Sequence, residues 1–175
     1  MQAVFLDRDG VLIEDRGFIG SIDQVRFFPW TFDSVRALSA RFPLFIVTNQ
    51  AGIAAGVTTP EQVATVNQHV LDSLRAGGII IHELYSCPHA HGGGCACRKP
   101  SPFFAHQAAA AYGIDLAASY MIGDHPSDIR FAENFGGTGL YVLTGHGESH
   151  RADAGTDLVF PSLKEASEYI LHVSA

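Results

Sequence analysis

Ala3-Val4-Phe5-Leu6-Asp7-Arg8-Asp9-Gly10 decides the reading of this chain, because four apolar residues run directly into two carboxylates set two apart. An unbroken apolar run of this length reads as a short strand buried on both faces, the kind found in parallel sheets. In extended geometry alternate residues point the same way, so Asp7 and Asp9 can face one site beyond the strand end. An Asp-x-Asp alone is commonly a solvated acidic turn. The buried strand before it and Gly10-Val11-Leu12 after it make this one more specific.

The same layout recurs further along the chain. Residues 44–47 form an apolar run closed by Thr48 and Asn49, and residues 120–122 run into Gly123-Asp124, with Asp128 one helical turn on. A plainer role for Ser127 and Asp128 is to cap and charge a helix start. Further strands are expected at 79–85, 140–143 and 158–160. Helices fill the intervals. Thr31 is placed as a cap, with Phe32, Val35 and Leu38 on one face. Thr59-Pro60 opens a helix that ends at Gly77-Gly78, and Ser101-Pro102 opens one stopped by Gly113. Ser127 caps a helix ending near Gly136-Gly137, and Ser162 with Glu165 forms a capping box for the last. This alternation predicts an α/β fold, a Rossmann-like doubly wound, mostly parallel sheet with helices on both faces. Ligands of such sheets bind beyond the carboxyl ends of the strands, where Asp7, Thr48 and Asp124 all fall.

The 175 residues suit one globular domain, and 47% of them are hydrophobic. The formal charge is −7, so nucleic acid is not an expected partner, and phosphate must be held by a few local groups. The N-terminal apolar run is too short for a signal peptide and lacks a basic start, and no stretch reaches membrane-span length. A cytoplasmic monomer without membrane contact is the expectation.

All three cysteines lie between positions 87 and 97. An odd, clustered set in a reducing compartment points to a metal rather than disulfides. Cys87, His89, Cys95 and Cys97 supply three thiolates and an imidazole, a closed tetrahedral Zn²⁺ set with no open position for water. Such a site is structural, and it would hold the loop that delivers Arg98 and Lys99. His91 could replace His89, although Cys-x-His places both donors at one turn. The alternative is reduced thiols in a flexible glycine loop. His69, His82, His106 and His172 read as surface or core positions, and Phe27-Phe28-Pro29-Trp30 as core packing. His146 and His150 remain open.

Carboxylates gathered at one point repel one another unless a cation sits among them. Oxygen-only ligands suit Mg²⁺, which often bridges to a substrate phosphate. Thr48 adds a hydroxyl and Lys99 a compact positive charge. Phosphoryl transfer needs mainly positioning and charge neutralisation, and this set can supply both.

Together these residues resemble the haloacid dehalogenase-like phosphatases. Asp7-Arg8-Asp9-Gly10-Val11, Thr48-Asn49-Gln50, Lys99, and Gly123-Asp124 with Asp128 stand in family order over nearly the whole chain. The run Cys-Pro-His…Cys-x-Cys-Arg-Lys-Pro is similar to the group holding the D-glycero-D-manno-heptose-1,7-bisphosphate and histidinol phosphatases. The resemblance implies one domain over 1–175, with a zinc loop at 87–97. It also implies no cap domain, since no insertion between Asp9 and Thr48 is long enough for one. Asp7 would be the nucleophile and Asp9 the general acid and base. Mg²⁺ would sit on the side chains of Asp7 and Asp124 and the backbone carbonyl of Asp9, with Asp128 supporting its waters. Thr48 and Lys99 would hold phosphoryl oxygens. Asn49, Gln50, Arg98, His125 and the segment Asp15, Arg16, Gly17 and Phe18 would contact a small phosphorylated metabolite, a sugar phosphate before others.

Two departures bear on the substrate. The group commonly carries Lys or Arg where this chain has His125. The five residues between His89 and Cys95 make a short loop, as in histidinol phosphatases. Lys99-Pro100-Ser101-Pro102 and Val142-Leu143-Thr144-Gly145 look more like the heptose enzymes of lipopolysaccharide synthesis. Histidinol phosphate is therefore the alternative substrate. A nucleic-acid 3′-phosphatase is a third enzyme reading, which the acidic charge opposes. A phospho-accepting or zinc-stabilised interaction protein without turnover is the alternative of another class, and the presence of Asp9 argues against it.

Overall fold

The structure, a computed structural model, describes residues 1–174. Six strands form one parallel sheet: β1 (Val4–Leu6), β2 (Leu44–Asn49), β3 (Glu83–Cys87), β4 (Tyr120–Gly123), β5 (Thr138–Val142) and β6 (Val159–Phe160). Their spatial order is β3-β2-β1-β4-β5-β6. The chain thus winds outward one way from β1 and then reverses to β4. The resulting switch point lies between β1 and β4, where a crevice opens at the carboxyl ends. Leu6 pairs with Ile122 across it, which brings Asp7 and Asp124 to the same edge.

Five helices cover the sheet: α1 (Thr31–Ser39), α2 (Pro60–Ala76), α3 (Phe103–Tyr112), α4 (Pro126–Phe135) and α5 (Leu163–Val173). The two-residue period of the strands sorts the core. Val4, Leu6, Leu44, Ile46 and Ile122 pack with Val35 and Leu38 of α1, Val66 and Val70 of α2, and Ile170 of α5. Phe5, Phe45, Val47 and Met121 face the other way, onto Ala105 of α3 and Phe131 and Phe135 of α4. Phe5 stacks on Phe45 with ring centroids 5.3 Å apart. Burial of such a side chain contributes about 1.5–3 kcal/mol.

Several expected details change. Thr31 does not cap α1; Trp30 occupies that position, and the Thr31 hydroxyl donates to the Leu12 carbonyl instead. The third strand begins at Glu83 rather than 79. Ile79 is buried, but its amide returns to the Leu74 carbonyl at the end of α2, so the apolar residue plugs the core without joining the ladder. The strand then runs on to Cys87, because Thr48 and Asn49 pair with Ser86 and Cys87. His125, not Ser127, caps α4: its ring accepts from the Ser127 amide while Asp128 accepts from the His125 amide. Ser162 caps α5, but its hydroxyl donates to Glu165 instead of the Glu165 carboxylate reaching back to the backbone. The Thr59-Pro60 start of α2 has the expected form, with Thr59 and Gln62 satisfying each other's amides. His82 packs against Phe45 and Tyr112, and Phe27 and Trp30 pack on the core, so neither cluster forms a separate site.

Candidate active site

A cleft of about 430 Å³ lies beyond the carboxyl ends of β1, β2 and β4. Asp7 and Asp124 meet at its floor with Asp128 buried behind them, each of the three with an oxygen within 4.8 Å of the others. Lys99 reaches the same point from the loop after β3. Its ammonium lies 3.1 Å from Asp7 Oδ2 and 2.7 Å from Asp128 Oδ1, and it donates to the Val47 carbonyl at 2.7 Å. Lys99 is 3% exposed, so these contacts are made away from bulk water. Asp128 Oδ1 thus meets the ammonium in a fully buried ion pair.

Burial pushes the Asp7 carboxyl up to about 6; Lys99 opposes the rise and Asp128 adds to it. Burial and the charges of Asp7 and Asp128 push Asp124 well above the ordinary carboxylate range. Crowded, desolvated carboxylates are what a hard cation would relieve, so the residues present fit Mg²⁺. Backbone shape supports the arrangement. Gly10 has φ of 81°, and a Cβ there would lie 2.1 Å from Asp124 Oδ2. Only glycine allows the chain after β1 to pass so close to that carboxylate. The other side is closed by the His146 amide, which donates to Asp124 Oδ2 at 2.7 Å.

Asp9 enters the cleft beside Asp7, and both its carboxylate oxygens accept hydrogen bonds. Arg8 donates to it through Nε at 3.2 Å and Nη2 at 3.0 and 2.9 Å, and Gln50 Nε2 adds a bond of 2.8 Å. Burial raises its pKa, Arg8 lowers it, and Asp7 raises it again. Thr48, almost fully buried, lines the cleft and accepts from Gln50. Asn49 also lines it, yet its side chain bonds both backbone groups of Lys99 and so fixes the loop that carries the lysine. The amides of Asn49 and Gln50 therefore organise Lys99, Asp9 and Thr48.

Asp15, Gly17, Phe18, Arg98 and His125 line the rim, whereas Arg16 is exposed outside it. His146 Nε2 lies 2.8 Å from Asp15 Oδ2 and joins the two sides of the mouth. The His125 and His150 rings are 4.9 Å apart, with His146 next to His150. Burial and the two neighbouring histidines lower the His125 pKa. The sequence left His146 and His150 open; the structure places His146 in the lining of the cleft and His150 behind it, beside His125. It also pairs Arg8 with Asn67, Arg8 Nη1 donating to Asn67 Oδ1 at 2.6 Å, a contact that no periodicity marks. The only available signal was a basic residue set between two acids.

The sulfur atoms of Cys87, Cys95 and Cys97 and His89 Nδ1 also lie within 4.8 Å of one another. Cys87 Sγ is 3.7 Å from Cys95 Sγ and 3.5 Å from His89 Nδ1. Two bonds of about 2.3 Å at a tetrahedral angle set sulfurs about 3.8 Å apart; the Cys87–Cys95 pair matches this, Cys97 Sγ sits closer to Cys87 Sγ at 3.1 Å, and three sulfurs with one imidazole nitrogen make a donor set of zinc type. Burial and the neighbouring cysteines push the Cys87 thiol up to about 12, and a cation is what would keep all three sulfurs as thiolates. His89 stands in this set and His91 does not. Arg98 Nη1 donates to the His89 carbonyl at 3.1 Å and links the cluster to the cleft.

Comparison with known proteins shows the family and the fold. A HAD-hydrolase-like family profile matches residues 96–166. The D-glycero-beta-D-manno-heptose-1,7-bisphosphate 7-phosphatase of Yersinia pestis is 38% identical over 178 residues, covering 96% of this chain and 94% of that protein. The protein of the same name from Escherichia coli K12 is 36% identical, covering 96% and 93%. Among solved structures, D,D-heptose 1,7-bisphosphate phosphatase from B. bronchiseptica, complexed with magnesium and phosphate, superposes with a TM-score of 0.89 at 30% identity over 99% of each chain.

Proposed function

The chain belongs to the haloacid dehalogenase-like phosphatases, and from that premise we propose that it hydrolyses the 7-phosphate of D-glycero-D-manno-heptose-1,7-bisphosphate through a phosphoryl-Asp7 intermediate. The observation that carries the proposal is the meeting of Asp7, Lys99 and Asp124 at one point of the cleft, with Asp9 beside them. An Asp7 oxygen attacks phosphorus as the bond to the sugar oxygen breaks, and Asp9 gives that oxygen its proton. Asp9 then takes a proton from the water that attacks the aspartyl-phosphate. The phosphorus–Asp7 bond breaks, and inorganic phosphate leaves. Lys99 and Thr48 hold the phosphoryl oxygens, and Arg98 and the rim around Asp15 and Phe18 receive the rest of the substrate.

Mg²⁺ would be held by the Asp7 and Asp124 side chains and the Asp9 backbone carbonyl. When bound it neutralises charge on the phosphoryl group. Asp128 is placed to support it indirectly, because its oxygens already meet Lys99 and the His125 amide. The 35–38% identity to named heptose phosphatases over nearly full length supports the substrate. The direct test compares the heptose bisphosphate with histidinol phosphate. A preference of about tenfold or more in kcat/KM for the heptose is expected. Preferential hydrolysis of histidinol phosphate would replace the substrate assignment.

The sulfur cluster gives a separate prediction. Metal analysis of the purified protein should find about one zinc per chain. Cys95→Ser should lower zinc content and Tm together, the latter by about 5 °C or more, at about 2–4 °C per kcal/mol for a chain of this size. Zinc-free wild-type protein with an unchanged Tm would remove the structural metal.

A further inference from the structure

We propose that Arg8 and Asn67 are positioning residues that aim the Asp9 carboxylate, an inference resting on Asp9 being the acid and base of the reaction above. Arg8 is fully buried, and a buried guanidinium is costly unless its donors are paired. Its donors meet two residues. Nε and Nη2 form a fork onto both oxygens of Asp9, and Nη1 donates to Asn67 Oδ1 at 2.6 Å. A planar fork fixes the plane as well as the position of the carboxylate it holds.

Asn67 lies in the interior of α2, where asparagine is a poor helix former. The residue is 9% exposed, on a helix whose Val66 and Val70 belong to the core. It gains its place by fixing the far end of Arg8. The aim of Asp9 is thus set from a helix packed on the sheet, through an arginine that does not line the cleft. Gln50 adds a third donor from the β2 side. Proton transfer to a leaving oxygen needs the donor held within about 0.5 Å and 10–20° of its productive geometry. Arg8 touches no reacting atom, so its effect must pass through Asp9.

Leaving-group dependence separates this role from a purely structural one. An alkyl phosphate needs a proton on its departing oxygen, whereas an aryl phosphate leaves as a stabilised phenolate. kcat/KM reports the step in which that oxygen departs. Arg8→Met, Arg8→Lys, Asn67→Ala and Asp9→Asn would each be assayed with 4-nitrophenyl phosphate. The alkyl arm uses the heptose bisphosphate, or whichever alkyl phosphate wild-type enzyme hydrolyses best. Arg8→Met should lower the alkyl value by about 10–100-fold more than the aryl value, within the range of general-acid effects. Asn67→Ala should show a smaller split of the same sign, and Arg8→Lys should recover part of the loss. Asn67→Ala keeps Arg8, so it gives the answer if Arg8→Met does not fold. Equal losses on both esters, or no loss in either variant, would overturn the inference. If Asp9→Asn shows the split and the Arg8 and Asn67 variants do not, this inference alone fails. If Asp9→Asn shows none, the assignment of Asp9 fails and the inference falls with it.

Discussion

Asp7→Asn is expected to lower kcat by about 10⁴-fold or more, the scale on which a lost covalent nucleophile acts. The change keeps the size of the side chain, and the amide can still accept from the Arg8 backbone N–H as the carboxylate does at 2.7 Å. Lys99 keeps Asp128 and the Val47 carbonyl, so the cleft floor should stay assembled. An amide is a far weaker nucleophile than a carboxylate and forms no acyl-phosphate. The check is kcat with the heptose bisphosphate, together with mass spectrometry of acid-quenched protein. Wild-type enzyme should carry a labile phosphoryl group on the peptide containing Asp7, and the variant should carry none. Residual activity within tenfold of wild type would show that another group attacks phosphorus.

Lys99→Met should affect stability and activity together. It removes the cation paired with both Asp7 and Asp128 and leaves their carboxylates in a desolvated floor. Breaking such a pair by deleting one partner costs about 3–5 kcal/mol, because the remaining charge is buried uncompensated. Much of that cost should return when a divalent cation binds. Adding Mg²⁺ should therefore raise the Tm of the variant more than that of wild-type protein. Activity should stay at least about 10²-fold down even at saturating Mg²⁺, as when one preorganised donor to a developing charge is lost. Arginine should not substitute well, since a forked guanidinium cannot reproduce a point contact to three separate oxygens. Equal Tm shifts with Mg²⁺ in the two proteins would place the cation elsewhere.

The elements that came directly from sequence share one property: their signal lies within a few neighbouring residues. The apolar runs before Asp7, Thr48 and Asp124 became β1, β2 and β4 because three or four consecutive apolar residues have few alternatives to a strand buried on both faces. Thr59-Pro60 marked α2, since its cap is made with Gln62, three residues on. The start of β3 was misplaced for the opposite reason. Ile79 is as apolar as a strand residue, and only the return of its amide to Leu74 separates plug from strand. The caps of α1 and α4 shifted by one or two positions because Thr31 found an acceptor at Leu12, nineteen residues away, and because the ring of His125 took the place expected of the Ser127 hydroxyl.

By itself, the sequence determined the alternating fold, the acids and the hydroxyl at three strand ends and the sulfur–imidazole set, because each is written in local spacing and residue type. Tertiary structure decided what those groups do to one another. It brought His89 and not His91 to the sulfurs. It turned Asn49 and Gln50 toward Lys99 and Asp9, and it placed Asn67 of α2 behind Arg8. Hydrogen bonds between residues about forty to sixty positions apart depend on crossover helices and strand register, and local spacing carries no trace of them.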